Sequence, residues 1–236
     1  MPTLYLIPTP LGETTLEQIL PQGTLQYIKP LEYFIVEKAK TARQFLKQVT
    51  MPIPMEAIHI EELNTRTEAK EFLNLLAPAI KEGKDMGLLS EAGCPAVADP
   101  GAEIVKLAHK HNIKVVPLVG ASSILMAIMA SGMSGQNFAF WGYLPIQSAD
   151  KKKKLQYLER QSEINNQTQL FIETPYRNDT MLKEMISTLK PSTYIGVATD
   201  LTLPTEFTKT MTVEAWKKQK ALPDLHKRPT VFSLMA

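Results

Sequence analysis

The chain has 236 residues, 44% hydrophobic and 21% charged, which suits a globular protein of one large domain or two small ones. Its formal net charge of +2 is too small to argue nucleic-acid binding by itself, and no apolar run approaches the roughly 18 residues of a membrane span. Cys94 is the only cysteine, so no intramolecular disulfide is possible and a reducing cytoplasm is expected; Leu4 to Ile7 runs at once into Pro-Thr-Pro rather than forming a signal core.

Leu4 to Ile7 reads as a first strand, stopped by Pro8, Pro10 and Gly12, after which Thr14 or Thr15 can cap a short helix containing Leu16, Ile19 and Leu20. Tyr33 to Val36 is a second strand, and Thr41 to Gln44 has the spacing of a capping box at a helix start. Ala57 to Ile60 is a third strand. Another capping box, Thr65 to Glu68, leads into a helix with Ala69, Phe72, Leu73, Leu76 and Ile80 on one face, kinked by Pro78 near its end and capped by Gly83. His59, standing alone, is expected to be structural.

The densest pattern runs from Gly87 to Ser123. A short buried strand, Met86 to Leu89, is followed by twelve residues rich in Gly, Pro and small side chains, then by a helix with Ile104, Val105 and Ala108, then by a strand at Val115 to Val119. Strand, long loop, helix and strand make a parallel crossover, and its loop lies at the carboxyl end of a strand, where open α/β sheets bind ligands. Ala121 to Ser131 is apolar or small on all sides and is expected to be a buried helix, with Ser122 and Ser123 at its N-terminus, where free N–H groups can hold an anionic group.

A strand at Asn137 to Trp141 opens a second half. Lys151 to Lys154 begins a helix with Leu155 and Leu158; strands follow at Leu170 to Glu173, Tyr194 to Ala198, Phe207 to Thr212 and Thr230 to Leu234, with a helix carrying Met181, Leu182, Met185, Ile186 and Leu189 among them. The expected fold is α/β in two domains, residues 1–118 with a mostly parallel sheet and residues 119–236 with a mixed one.

Familiar catalytic motifs are missing. The sequence has no Gly-x-Gly-x-x-Gly, no P-loop, no His-Glu-x-x-His, no Gly-x-Ser-x-Gly elbow and no Cys/His cluster for zinc. Covalent and metal chemistry therefore have no visible carrier.

The segments SEAGCPAVADPGA (90–102) and VVPLVGASS (115–123), with LYLIPTPLG (4–12), WGYLP (141–145) and FIETPYR (171–177), resemble the signatures of the tetrapyrrole methylase family. The resemblance is nearest to the branch that methylates the ribose 2′-oxygen of a cytidine in 16S ribosomal RNA. It implies S-adenosylmethionine as cofactor, held in a cleft between two α/β domains, a homodimer, and no metal. The positions that match the family's cofactor contacts are Leu11, Cys94, Val97, Ser122, Ser123, Phe171, Ala198 and Pro229, mostly through backbone atoms. Cys94 stands where many family members carry an aspartate, which points to the RNA branch. Glu91, Asp99 and Glu173 are the carboxylates placed to face substrate, and Lys151, Lys152, Lys153 and Lys154 are the expected RNA contacts. Three positions depart from the family pattern: Lys38 replaces an Asp, Thr199 an Arg and Leu203 a Lys. These losses leave two rivals, a methyltransferase of a tetrapyrrole-like or other small molecule and a non-enzymatic cofactor-binding protein.

Overall fold

In a computed structural model, which describes residues 1–63 and 67–236, backbone contacts divide the chain into two units, Met1–Ser122 and Ser123–Ala236. The first unit contains, in order, β1 (Thr3–Ile7), α1 (Gln22–Ile28), β2 (Tyr33–Val36), α2 (Ala39–Val49), β3 (His59–Glu62), α3 (Phe72–Leu75), α4 (Ala77–Glu82), β4 (Met86–Leu89), α5 (Ala102–Lys110) and β5 (Lys114–Pro117). Its sheet has the order β3-β2-β4-β1-β5, and every pairing is parallel.

Both faces of this sheet are covered, as parallel sheets require. Strand residues alternate between the two layers. Ile7, Phe34, Val36 and Leu89 pack with Ile28 of α1 and Phe45, Leu46 and Val49 of α2. Leu4, Ile35, Met86 and Leu88 pack on the opposite side with Leu75, Ala79, Ile104 and Ala108. The central strands thus read as continuous apolar runs. Neighbours β2 and β4 send their chains in opposite directions, to β3 and to β5, so the sheet has a topological switch point at their carboxyl ends.

Several expectations are corrected here. The helix expected from 69 to 82 is broken at Leu76, whose φ and ψ of −92° and 1° separate α3 from α4. Pro78 has no N–H and its ring would clash with the carbonyl four residues earlier, so the chain restarts with Pro in the first turn. Gly83 does close α4, with φ of 67°. The box at Thr41 does not form: α2 starts at Ala39, whose N–H is capped from β3 by Glu62 Oε1 at 2.7 Å, and Thr41 lies inside the first turn. The box beginning at Thr65 falls outside the described residues. His59 stacks on Tyr33 with ring centroids 4.7 Å apart. The short helix after Thr15 is only a 3-10 turn, Leu16–Gln18.

The second unit contains α6 (Ser123–Ser131), β6 (Phe138–Tyr143), α7 (Ser148–Asn165), β7 (Thr168–Ile172), α8 (Asn178–Thr188), β8 (Tyr194–Thr199), β9 (Phe207–Thr212), α9 (Val213–Lys217) and β10 (Thr230–Met235). The sheet order is β6-β7-β10-β8-β9, with β6 and β7 parallel and the other pairings antiparallel. One face packs Phe171, Ile195, Val197, Phe232 and Leu234 against Leu155, Leu158, Met181, Met185 and Trp216. The Trp216 indole N–H donates to the Ile195 carbonyl at 3.0 Å, so even the buried polar edge is satisfied. On the other face α6 meets β8, β9 and β10 through small residues. There Gly196 has no room for a side chain, since a Cβ would lie 2.2 Å from the Ser233 hydroxyl oxygen.

Helix α6 is less buried than its composition suggests. Ala127, Ile128 and Ser131 are buried, whereas Leu125 and Met129 are 52% and 81% exposed. The lysine run is corrected as well. Lys151 is 2% exposed, with its ammonium 3.1 Å from Glu184 and 3.5 Å from Glu173. Lys154 lies over the Trp141 ring at 3.7 Å and the Tyr157 ring at 4.6 Å. Only Lys152 and Lys153 of the four are exposed. A helix cannot turn four consecutive residues to solvent when one side is packed on a sheet.

Candidate functional site

The carboxyl ends of β1, β2 and β4 carry the polar residues of the first unit. Thr9, just past β1, exchanges two backbone hydrogen bonds with Gly93, past β4, at 2.9 and 3.0 Å. That clamp holds the two loops side by side. The Cys94 thiol then donates to the Ala121 carbonyl at 3.4 Å, tying the loop to the segment after β5. Burial pushes this thiol up, against a hydrogen bond with Ser122. It is therefore a poor nucleophile, as protonated thiols are.

The loop from 90 to 101 is held in unusual backbone conformations. Ala96 and Ala98 both have φ of 65°, and Gly101 has φ of 137°. Left-handed alanines are costly and persist where the surroundings fix them, often at ligand sites. At Gly101 a side chain would be doubly excluded, because a Cβ would also approach Leu88 to 3.0 Å.

Three carboxylates share this edge. Glu37 follows β2 and accepts the Glu91 backbone N–H at 3.2 Å. Glu91 accepts the Thr41 hydroxyl and faces the Lys38 ammonium at 3.8 Å. Asp99 is pushed up to about 6, chiefly by burial and then by the Glu37 charge; a hydrogen bond from Ser90 works the other way and the Glu91 charge adds to the rise. An acid poised near neutrality can take and release a proton at working pH. Glu37 is not among the three carboxylates expected from the sequence; its place just past β2 brings it beside Asp99 and the Glu91 N–H. Beside these groups a cavity of about 320 Å³ is lined by residues 9–13, by Thr41, Ala42, Gln44, Phe45 and Gln48 of α2, and by Ser90, Glu91 and Ala92.

Of the cofactor positions expected by resemblance, the first unit brings Leu11, Cys94 and Ser122 to this edge. A Cβ on Gly93 would lie 3.3 Å from the Leu11 side chain, and Cys94 bonds both Ala121 and Ser122. Val97 projects outward, 47% exposed. In the second unit Phe171, Ala198 and Pro229 are brought together by neighbouring strands. Phe171 pairs with Phe232 and Ala198 with Val231, while the Asp200 N–H donates to the Pro229 carbonyl at 2.9 Å. Phe171 is fully buried and stacks on Phe232, so its side chain belongs to the core. Arg228 fastens this corner through Asp200, at 2.7 Å, and the Thr205 and Asp224 carbonyls. Ser123 is the first residue of α6.

Glu173 is placed differently from Glu91 and Asp99. It is 4% exposed and accepts from the Thr174 N–H and the Arg177 guanidinium, each at 2.7 Å. Burial works to raise its carboxyl, but the Arg177 and Thr174 hydrogen bonds and the Arg177 and Lys151 charges outweigh it and hold it below the usual range. Among the described residues no group of three or more His, Cys, Asp or Glu is arranged to hold a metal ion, and no helix is long and apolar enough to cross a membrane.

Residues 3–216 match the tetrapyrrole (corrin/porphyrin) methylase family. The chain belongs to this family. Among its curated relatives in the family, the ribosomal RNA small subunit methyltransferase I of Bacillus subtilis is 34% identical over 189 residues, which cover 80% of this chain and 59% of that protein. The protein of the same name from Halalkalibacterium halodurans is 32% identical over 200 residues, covering 85% and 64%. That of Haemophilus influenzae is 29% identical over 199 residues, covering 84% and 66%. The chain therefore matches only 59–66% of the length of these relatives. Two solved methyltransferase structures align over nearly the whole chain. The methyltransferase CobJ superposes with a TM-score of 0.64 at 15% identity, covering all of this chain and 94% of that one. A uroporphyrin-III C-methyltransferase from Thermus thermophilus gives 0.53 at 18%, covering 99% and 92%. Likeness at such identities speaks for the fold alone.

Proposed function

We propose that this protein is an S-adenosylmethionine-dependent methyltransferase acting on a ribose 2′-oxygen of ribosomal RNA. The observation that carries the reading is Asp99, a half-buried carboxyl poised at about 6 beside Glu37 and Glu91, on a strained loop at the carboxyl edge of a parallel sheet. The names of its relatives support ribosomal RNA as the substrate class.

S-adenosylmethionine would supply a methyl group already activated on a sulfonium, so the protein's part is mainly binding and alignment. Leu11, Cys94, Val97 and Ser122 of the first unit and Ser123, Phe171, Ala198 and Pro229 of the second would hold it. Taken unit by unit, their character fits an uncharged contact surface: a neutral thiol, hydroxyls, apolar side chains and backbone groups. Asp99 receives the proton of the acceptor hydroxyl. Burial first, and then the Glu37 and Glu91 charges, keep Asp99 basic enough to do so. Lys38 balances one of these charges in place of the acidic residue usual in the family. Glu173 acts as a buried strut rather than as a base.

RNA contacts on α7 fall to Lys152, Lys153 and Arg160, which are exposed, and not to Lys151 or Lys154. The exposed Leu125 and Met129 of α6 support a homodimer covering that helix. The single cysteine fits a cytoplasmic protein. The test is transfer of labelled methyl from S-adenosylmethionine to 16S ribosomal RNA or small subunits lacking 2′-O-methylation. Label recovered at a ribose oxygen is expected; label only on small molecules, or none, would overturn the reading.

A further inference from the structure

We infer that the cavity between α2 and the loops after β1 and β4 is a binding site for one nucleobase, the base of the RNA acceptor nucleotide. The inference deepens the RNA-methylation reading and rests on it for the source of the base.

The helix supplies one wall with a regular spacing. Thr41, Gln44, Phe45 and Gln48 recur at i, i+3, i+4 and i+7, so they share one face, and all four line the cavity. The facing wall is made of residues 9–13, with Pro10 and Leu11 as its apolar part, and the third side is Ser90, Glu91 and Ala92. A volume of about 320 Å³ admits a single ring system with its sugar, not a tetrapyrrole.

Charge narrows the ligand further. The lining contains no Lys, Arg or His, but does contain Glu13 and Glu91. A phosphate or a carboxylate would be repelled there. Glu91 is already engaged by Lys38 and Thr41, so it makes little demand for a cation. An uncharged ligand fits this balance best.

The amides then say what kind of uncharged ligand. The side-chain amides of Gln44 and Gln48 make no hydrogen bond with any other described residue. They stand one helical turn apart, and each offers donors and an acceptor together. A nucleobase edge presents the same alternation of donors and acceptors, and its flat face suits the half-exposed Pro10 and Leu11 wall. A base must leave its stack to reach such a pocket, as enzymes acting on single nucleotides require. The cavity adjoins Glu91, beside the cluster that holds Asp99, so a base seated there would bring its own ribose toward the carboxylates.

The experiment is saturation-transfer NMR on the full chain with cytidine and with adenosine, using the wild type, Gln44→Ala, Gln48→Ala and the double variant. Saturation of base protons is expected in the wild type, weakened about tenfold or more in the double variant. Inorganic phosphate and S-adenosylhomocysteine should not displace the nucleoside. Equal signals in wild type and double variant, no signal in either, or displacement by phosphate or S-adenosylhomocysteine would each overturn the inference. Both glutamines are exposed helix positions, so unchanged thermal unfolding will show that the variants are folded. In methyl transfer to ribosomal RNA the double variant should raise KM for RNA while kcat and S-adenosylhomocysteine affinity hold. An unchanged KM overturns the nucleobase site alone. No transfer by the wild type to any RNA overturns the methylation reading, whose failure the nucleoside measurement does not share.

Discussion

Asp99 combines two effects at a single residue. Burial and the Glu37 and Glu91 charges make its carboxylate form costly, so its proton is held up to about pH 6, against 3.8 ordinarily. The native state therefore binds this proton where the unfolded chain has lost it. Stability from this group is fully present below the unfolded value near 3.8 and is lost as pH rises through about 6. Activity should move the other way, because only the carboxylate can accept a proton. The methyl-transfer rate is expected to rise about tenfold per pH unit below 6 and to level above it. Asp99→Asn should lower kcat by about a hundredfold or more at pH 7.5, remove that limb, and unfold at the same or a higher temperature than the wild type at the same pH. A wild-type rate flat from pH 5 to 8, or a limb that persists in the Asn variant, would remove Asp99 as the base. The sequence marked Asp99 only as one carboxylate among three. Its difference from Glu173 came from surroundings that no spacing reveals: Glu173 meets Arg177 and Lys151, whereas Asp99 meets two other acids.

Among the elements, α7 shows how packing divides a uniform run. Lys151 faces inward to Glu173 and Glu184, and Lys152 and Lys153 face outward. Removing one partner of a buried ion pair strands the other, at about 3–5 kcal/mol. Lys151→Ala should therefore lower the unfolding temperature markedly, while Lys152→Ala and Lys153→Ala change stability by about 0.5 kcal/mol or less. Denaturant titration of the three single variants is the check, and equal midpoints would contradict the buried network. Elements with a clear period were legible: β2, β4 and β9 follow short apolar or alternating runs, and the loop from 90 to 101 announced itself by Gly and Pro. Helix α1 was not, because Gln22–Ile28 carries no apolar period of its own. Pro21 serves as its N-cap, and only Thr24 and Ile28 within the helix are buried. The Thr41 box failed because Glu62, from a strand distant in sequence, capped α2 first. Local rules describe what a segment can do alone, and a tertiary partner chose otherwise.

For the whole molecule, a net charge of +2 gives no general attraction for RNA, so the proposed RNA binding would have to draw on local cations. The outer face of α7 concentrates them. Lys153, Tyr157 and Arg160 lie on one exposed stripe at i, i+4 and i+7, with Lys152 beside it. Lys151 is neutralised by two buried glutamates, and Lys154 is drawn onto Trp141, its ammonium lowered by burial. Under the proposed RNA reading α7 would then offer three phosphate contacts, Lys152, Lys153 and Arg160, where four adjacent lysines suggest four. Each lost contact to a single strand should reduce the salt slope of binding by about 0.7, so a Lys152→Ala, Lys153→Ala, Arg160→Ala variant should flatten it by about 2. Tyr157, 46% exposed on the same stripe, gives a base a ring to stack on, so Tyr157→Ala should weaken binding without altering the slope. S-adenosylhomocysteine affinity should hold in both variants, because none of these residues is among the positions proposed for the cofactor. Titration of a ribosomal RNA fragment between about 50 and 200 mM salt reads both quantities. A triple variant with the wild-type slope would leave α7 a solvated face and overturn its proposed part in RNA binding.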